Sequence, residues 1–457
     1  MYDIKILNGK ILDFYTGEEY IKDIGIKDGK IKKIGNIKSA AKKEIDASGK
    51  IVSPGFIDIH MHEETIKDTL DENDYDIANK MILMGVTTCI AGNCGNNRQE
   101  IKDFFTFIDK YGAPVNYLAF SGHNYLRNKV GVNRYERVTN LEIEKIKKLA
   151  LNDLNNGAIG LSFGLEYSPG TTKEEVIDIS SSFDEDILLS AHFRKDAKYG
   201  IPSVKELIEI SKETKKPMQI SHLGSCTGFG MMDESLDIIS KAIDDGVDIK
   251  ADCYPYNAFS TFIGSAVFDE GCFKLWNKSY DSILLTEKPY KGIRCDEKLF
   301  YKVRKENPEM LVIAFVMEES DIIKAMKAPF VMIASDGLYK KEQGHPRGAG
   351  TFPRVLGHFV REKNELKLYN ALRKITLEPA KRLGLNKGEI SEGLDADIVI
   401  FDPDIIIDKA TFENPTLPPR GIDYVIINGE IAVKDNNIFN DSLGRVIRRD
   451  ELKGIKK

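Results

Sequence analysis

The chain is sparing with several residue types that mark whole protein classes. It carries one tryptophan, seven histidines and six cysteines in 457 residues. No run of about 18 apolar residues occurs, which excludes a membrane-spanning helix of ordinary length. Residues 1–13 alternate polar and apolar positions and do not build the apolar block of a secretion signal, so a cytoplasmic location is expected. Excess positive charge is also missing: 65 Lys and Arg stand against 71 Asp and Glu, a net charge of −6. That balance excludes strong non-specific attraction to phosphate backbones, and the basic stretches 30–43 and 448–457 read as solvated, so nucleic acid is not an expected partner. The cysteines (Cys89, Cys94, Cys226, Cys253, Cys272, Cys295) lack the spacing of a disulfide framework. A cysteine with a special role is therefore first a possible metal ligand.

What is present is enough apolar material for a large core, with 42% hydrophobic and 30% charged residues. Residues 3–35 read as β-hairpins around Asn8-Gly9 and Asp28-Gly29, because such dipeptides favour type I′ turns and isoleucines alternate on either side. The far end repeats the pattern, with a strand over 396–401 and a hairpin over 424–433 around Asn428-Gly429. The two ends are expected to form one β-sandwich from residues 1–53 and 386–457. Between them, eight short apolar segments (55–62, 87–95, 115–122, 158–165, 187–192, 218–222, 248–254 and 330–335) alternate with amphipathic helices such as 203–213 and 235–243. Eight is the number that closes an α/β (β/α)₈ TIM barrel, here expected over 54–385. The connection after residue 254 is far longer than a usual loop plus one helix, which predicts that 257–329 is partly a lid-like insertion.

Four histidines fall where barrel chemistry is done. His60 and His62 end the first segment with a spacing of two, so both imidazoles share a face and can grip one ion. His192 closes the fifth segment and His222 the sixth, thirty positions later and one βα unit away. A lone histidine at any of these places would more often be an ordinary polar core residue; four at the same ends of the strands argue for a metal site. Cys94, in Ala91-Gly-Asn-Cys-Gly95, ends the second segment between glycines, where a thiolate suits zinc, whereas Cys89 reads as a buried apolar cysteine. Asp336, in Ala334-Ser-Asp-Gly337, taken alone would be a turn residue before glycine; beside the imidazoles it becomes the acid/base candidate. Arg347 offers a planar fork that matches a carboxylate, with a surface ion pair as its plainer reading. Tyr167, Tyr254 and Ser260 lie on segments expected to face the pocket. His123 fits a substrate contact and a loop cap equally, while His345 and His358 read as structural.

These pieces resemble the amidohydrolase superfamily, and within it the N-acyl-D-amino acid deacylase (D-aminoacylase) group, over nearly the whole length. The resemblance is carried by Gly55-Phe-Ile-Asp-Ile-His-Met-His62, Gly85-Val-Thr-Thr88, Gly92-Asn-Cys-Gly95, Gly164-Leu-Glu-Tyr-Ser-Pro-Gly170, Asp252-Cys-Tyr-Pro-Tyr256 and the run from His345 to Gly357. It implies a tight Zn2+ held by Cys94, His192 and His222, a second and weaker site at His60 and His62, and Asp336 as catalytic aspartate. It also implies a small-molecule substrate, an N-acyl-D-amino acid whose α-carboxylate meets Arg347, and it leaves a homo-oligomer open. Many amidohydrolases bridge two metals with a carboxylated lysine, but residues 158–167 contain no lysine, and Cys94 is expected in its place. A lysine that family members often carry shortly after the sixth-strand histidine is also missing, since the run here is Ser221-His-Leu-Gly-Ser-Cys226. The alternatives are a cyclic amidase of the dihydroorotase or hydantoinase type or an isoaspartyl-dipeptidase-like hydrolase. A non-catalytic scaffold would require lost ligands, and none is lost.

Overall fold

The computed structural model describes residues 1–66 and 75–452. Residues 453–457, which the expected C-terminal module and basic stretch include, lie outside the described residues. The architecture is mixed α/β. Phe56–Asp58, Val86–Ala91 and Asn116–Ala119 pair in parallel, in chain order. A second parallel ladder runs through Ser121–Gly122, Gly160–Gly164, Leu188–His192, Met218–Ile220, Ile249–Cys253 and Val331–Ile333, again in chain order. Only Phe120 separates the two ladders along the chain, and at the opposite end Met61 bridges Gly337 in parallel. There Asp336 N donates to His60 O at 2.7 Å and His62 N to Gly337 O at 3.1 Å.

All eight expected segments thus hold a strand, shorter than the apolar run that marked it. Every residue of Val86–Ala91 and Leu188–His192 is buried, as parallel strands covered on both faces require, and this is why they read as continuous apolar runs. The expected helices appear as Gly200–Thr214, burying Val204, Leu207 and Ile208, and Met232–Asp244, burying Met232, Ile239 and Ala242. Between Cys253 and Val331 the chain forms a three-stranded antiparallel sheet (Phe259–Phe262, Leu311–Ala314, Ile283–Leu285 in spatial order) before the helix Glu319–Lys327 returns it to the parallel ladder. No helix among the described residues is long and apolar enough to cross a membrane.

Both chain ends join in one hydrogen-bonded nine-stranded sheet, in which Ile51–Pro54 pairs Ile398–Phe401. A separate small core of Ile4, Ile6, Ile24, Ile26, Ile398 and Ile426 packs on it. Asp28-Gly29 and Asn428-Gly429 form the expected two-residue turns, with positive φ at all four positions. Asn8-Gly9 does not. The strand Tyr2–Leu12 runs through it, and the register against Glu19–Lys27 shifts between Ile6 and Gly9. Asn8 supplies a φ of 57° there, so the dipeptide makes a bulge and the chain reverses later, after Asp13.

Candidate metal centre

The site is built just past the ends of the parallel strands, where the chain turns out of the ladder. Cys94, His222 and Asp336 all have left-handed backbone, with φ of 53°, 33° and 49°. Non-glycine residues in that region carry strain that neighbouring contacts must hold. The holding contacts are visible. Gly92 and Gly95 flank the Cys94 turn with φ of 73° and 76°, and a Cβ on Gly92 would stand 2.2 Å from Phe120 O. Glu63 clamps the same loop, accepting from Gly92 N at 2.8 Å and Arg98 N at 2.7 Å. Asp336 is fixed by its own N–H on His60 O and by the neighbouring Ser335, whose N–H donates to Asp58 Oδ1 at 2.9 Å.

These turns bring six side chains together. The ligand atoms of Cys94, His192 and His222 lie within 4.8 Å of one another, and so do those of His60, His62, Cys94 and Asp336. Cys94 belongs to both groups: its Sγ is 3.3 Å from His60 Nε2 and 3.4 Å from His222 Nε2. Asp336 Oδ1 sits 3.1 Å from His62 Nε2 and 3.5 Å from His60 Nε2. Two of the outward ring nitrogens are held by hydrogen bonds, and a third has a carboxylate beside it. His192 Nε2 meets Glu166 Oε2 at 3.1 Å, His222 Nδ1 meets Ser225 Oγ at 2.7 Å, and His60 Nδ1 lies 3.3 Å from Asp252 Oδ1. Asp252 also accepts from His222 N at 2.8 Å and from Gln219 Nε2 at 3.0 Å.

The electrostatics favour a thiolate. Burial opposes ionisation of Cys94, but the charges of His60 and His222, with hydrogen bonds from His192 and His222, hold its thiol well below the ordinary value. Burial likewise works against a charged His192, yet Cys94 and Glu166 raise it to about 9. Burial, followed by the charge on His192, lowers His222. Asp336 is held below the usual carboxylate range although burial pushes the other way, chiefly by the Arg347 guanidinium, whose Nη2 is 2.8 Å from Asp336 Oδ2. A soft divalent cation fits this donor set: one ionisable thiol, converging imidazoles, and a buried His192 Nδ1 that has no hydrogen-bond partner. Carboxylates and a hydroxyl on the far ring nitrogens are the supports that metal-binding histidines require.

The sequence matches the Amidohydrolase family over residues 43–266 and 321–433. The chain belongs to that family. This amidohydrolase is 30% identical to a D-aminoacylase of Alcaligenes xylosoxydans xylosoxydans, a match that covers 98% of each chain. Among solved structures, a D-aminoacylase with a binuclear metal centre superposes with a TM-score of 0.88 at 29% identity, covering 98% of this chain and all of the other. The N-acyl-D-glutamate deacylase of Bordetella bronchiseptica, complexed with zinc and a phosphonate inhibitor, gives a TM-score of 0.87 at 28% identity over 98% and 99% of the chains. As an amidohydrolase with these relatives, the protein is an enzyme of carbon–nitrogen bond hydrolysis outside peptide bonds.

The remaining expected residues of the amidohydrolase fall differently. A cavity of about 520 Å3 is lined by His62, Cys94 and Asp336 together with Tyr167, Ser260 and Arg347. Arg347 is buried, lies over the Tyr254 ring at 4.6 Å, and leaves Nε and Nη1 without partners. Tyr254 Oη and Ser260 Oγ are likewise buried and unpartnered. His123 stands apart: it opens the helix His123–Lys129, its Nε2 is 2.9 Å from Glu175 Oε1, and it does not line the cavity. Its partner Glu175 lies 52 positions away in the sequence.

Glu63, Glu166 and Asp252 are the contributors that sequence reasoning passed over. Glu166 and Asp252 lie inside motifs that carry the family resemblance, but each acts on a histidine of another strand, and nothing in local spacing marks such a partner.

Proposed function

We propose that the protein deacylates an N-acyl-D-amino acid, hydrolysing its linear amide to a carboxylate and a free D-amino acid. Cys94, His192 and His222 would hold one Zn2+, and His60 and His62 a second site that shares Cys94. The observation that carries the reading is the convergence of one thiol, four imidazoles and Asp336, of which His62, Cys94 and Asp336 line the cavity. The likeness to D-aminoacylase over the full length supports it. A solved D-aminoacylase is described in terms of one-metal activation and second-metal attenuation, which agrees with unequal sites.

Zinc bound there supplies Lewis acidity and makes water a far stronger acid. The chain's own groups do the rest. Asp336, ionised and aimed at the same space as His60 and His62, takes the proton of the attacking water as the new C–O bond forms. It returns that proton to the amide nitrogen as the C–N bond breaks, a transfer worth about 10² to 10⁴ in rate. Arg347 keeps Nη2 on Asp336, has Nε and Nη1 free of protein partners, and is the residue assigned to the substrate α-carboxylate. Tyr254 and Ser260 offer their unpartnered hydroxyls beside it, and Tyr167, whose ring is 4.5 Å from that of His192, closes the wall.

The same reading takes the two parallel ladders, linked through Phe120 and the Met61–Gly337 bridge, as a closed (β/α)₈ barrel over 54–385. Residues 1–53 and 386–457 form its β-sandwich companion, and 257–329 is partly a lid, since Ser260 lines the cavity. The sharing of Cys94 by both ligand groups favours a linear amidase over the hydantoinase type, for which a bridging lysine would be expected in Gly160–Gly164 and is not there. Metal analysis of purified protein, then a panel of N-acetyl and N-formyl D- and L-amino acids beside hydantoins and dihydroorotate, tests the proposal. Zinc with release of D-amino acids is expected; turnover confined to the cyclic amides would overturn it.

A further inference from the structure

The outer wall of the cavity carries two arginines that the chemistry above does not use. Arg98 follows the Cys94 turn, and its guanidinium lies 5.8 Å from the centroid of the Phe262 ring. Arg134 donates from Nη1 to Gly264 O at 3.2 Å. Both line the cavity that holds Cys94 and Asp336. Neither forms an ion pair among the described residues, although the chain has more acidic than basic side chains. Most other arginines do pair, as Arg194 does with Glu206 and Arg354 with Asp408. Among the described residues, one carboxylate besides Asp336 lines this cavity, Glu309, which lies 3.6 Å from Lys340; Arg98 also borders an adjoining cavity with Glu63, Glu64 and Asp76. Two positive charges, one steadied by an aromatic ring and one by a backbone carbonyl, therefore line a polar cavity without an ion-pair partner among the described residues.

We propose that the substrate carries a second carboxylate and that Arg98 and Arg134 receive it. The inference rests on the deacylase reading, in which Arg347 takes the first carboxylate. The second could belong to an acidic D-amino acid side chain or to a dicarboxylic acyl group. Both place an anion a few bonds from the scissile amide, the first on its amine side and the second on its acyl side. A surface arginine that merely keeps the protein soluble would gain nothing from sharing a wall with the metal ligands. An arginine that selects substrates must stand there.

The experiment compares kcat/KM of the zinc-loaded enzyme for N-acetyl-D-glutamate, N-succinyl-D-leucine and N-acetyl-D-leucine. At least one of the first two should exceed the third by about tenfold, the worth of one charge-assisted contact. Whichever is favoured identifies the source of the carboxylate. The joint substitution Arg98→Gln and Arg134→Gln should bring the ratio close to one, and Arg98→Lys with Arg134→Lys should keep most of it. Equal or better use of N-acetyl-D-leucine, or a ratio that the Gln pair leaves unmoved, overturns the proposal. Calorimetric binding of the same compounds to zinc-loaded Asp336→Asn protein separates this idea from the one beneath it. If none of the three is hydrolysed, the deacylase reading falls. A binding preference for a dicarboxylate that the Gln pair removes still supports the anion site, and the lack of such a preference overturns it.

Discussion

Arg347 Nη2 lies 2.8 Å from Asp336 Oδ2, and both side chains are buried. The arginine is tied further by Ser260 O, which accepts from Nη2 at 3.2 Å, and by the Tyr254 ring beneath it. The proposed substrate clamp and the proposed acid/base group are therefore one electrostatic unit. Arg347→Met should raise KM strongly, because the fork for the α-carboxylate is gone. It should also leave the Asp336 carboxylate buried beside an apolar chain, a loss of order 3–5 kcal/mol for a broken buried pair. Steady-state kinetics with N-acyl-D-amino acids and urea denaturation read the two effects. An unchanged KM would remove the carboxylate role, whatever happens to stability.

Asp336→Asn separates the metal from the proton transfer. The ligand group Cys94, His192 and His222 does not include Asp336, so zinc at that site should remain. Turnover should fall by about 10² to 10⁴, the usual contribution of a positioned acid/base. Metal content by mass spectrometry and kcat on the same preparation decide the matter, and a variant with wild-type kcat would rule the residue out.

The parallel strands were legible because burial on both faces leaves an apolar run that needs no partner to be seen, as in Val86–Ala91. The pair His60 and His62 was legible because a period of two is local. The strand ends were not. Cys94, His222 and Asp336 were expected to finish strands, and they sit in left-handed turns just beyond, where long-range hydrogen bonds fix the backbone. Asn8-Gly9 shows the same limit: the dipeptide demands a positive φ, but only the partner strand determines whether that makes a turn or a bulge. Arg347 was expected to meet a substrate carboxylate and Asp336 was named for another role; the contact that joins their side chains was not foreseen, because it links positions eleven apart that no local pattern pairs.

Glu166 offers a test of how far support behind the ligands matters. Its Oε2 is 3.1 Å from His192 Nε2, which leaves the unpartnered Nδ1 as the nitrogen that would bind a metal. Glu166→Gln keeps the shape and removes the charge that steadies the ring. Zinc affinity should weaken by about 10- to 100-fold, the usual effect of losing such a partner. Competition with a chelating dye gives the dissociation constant, and an affinity equal to wild type would show that Glu166 does not orient His192.

Asp153 gives a pH dependence that is independent of the metal. Its Oδ2 accepts from Ser121 Oγ at 2.6 Å at the start of the second ladder, and burial raises its carboxyl to about 6. A carboxyl whose folded value lies above its unfolded value of about 3.8 binds its proton more tightly in the native state. Its stabilising contribution is whole below about pH 3.8 and is lost as pH rises through about 6. Asp153→Asn removes the charge that burial disfavours and can still accept from Ser121. The variant should therefore gain relative to wild type as pH rises from about 4 to 7, by about 2 kcal/mol once wild-type Asp153 is ionised. Thermal melts of both proteins across that range measure the difference. A constant gap between them, or one that narrows toward neutral pH, would mean that the buried carboxylate is not strained by its surroundings.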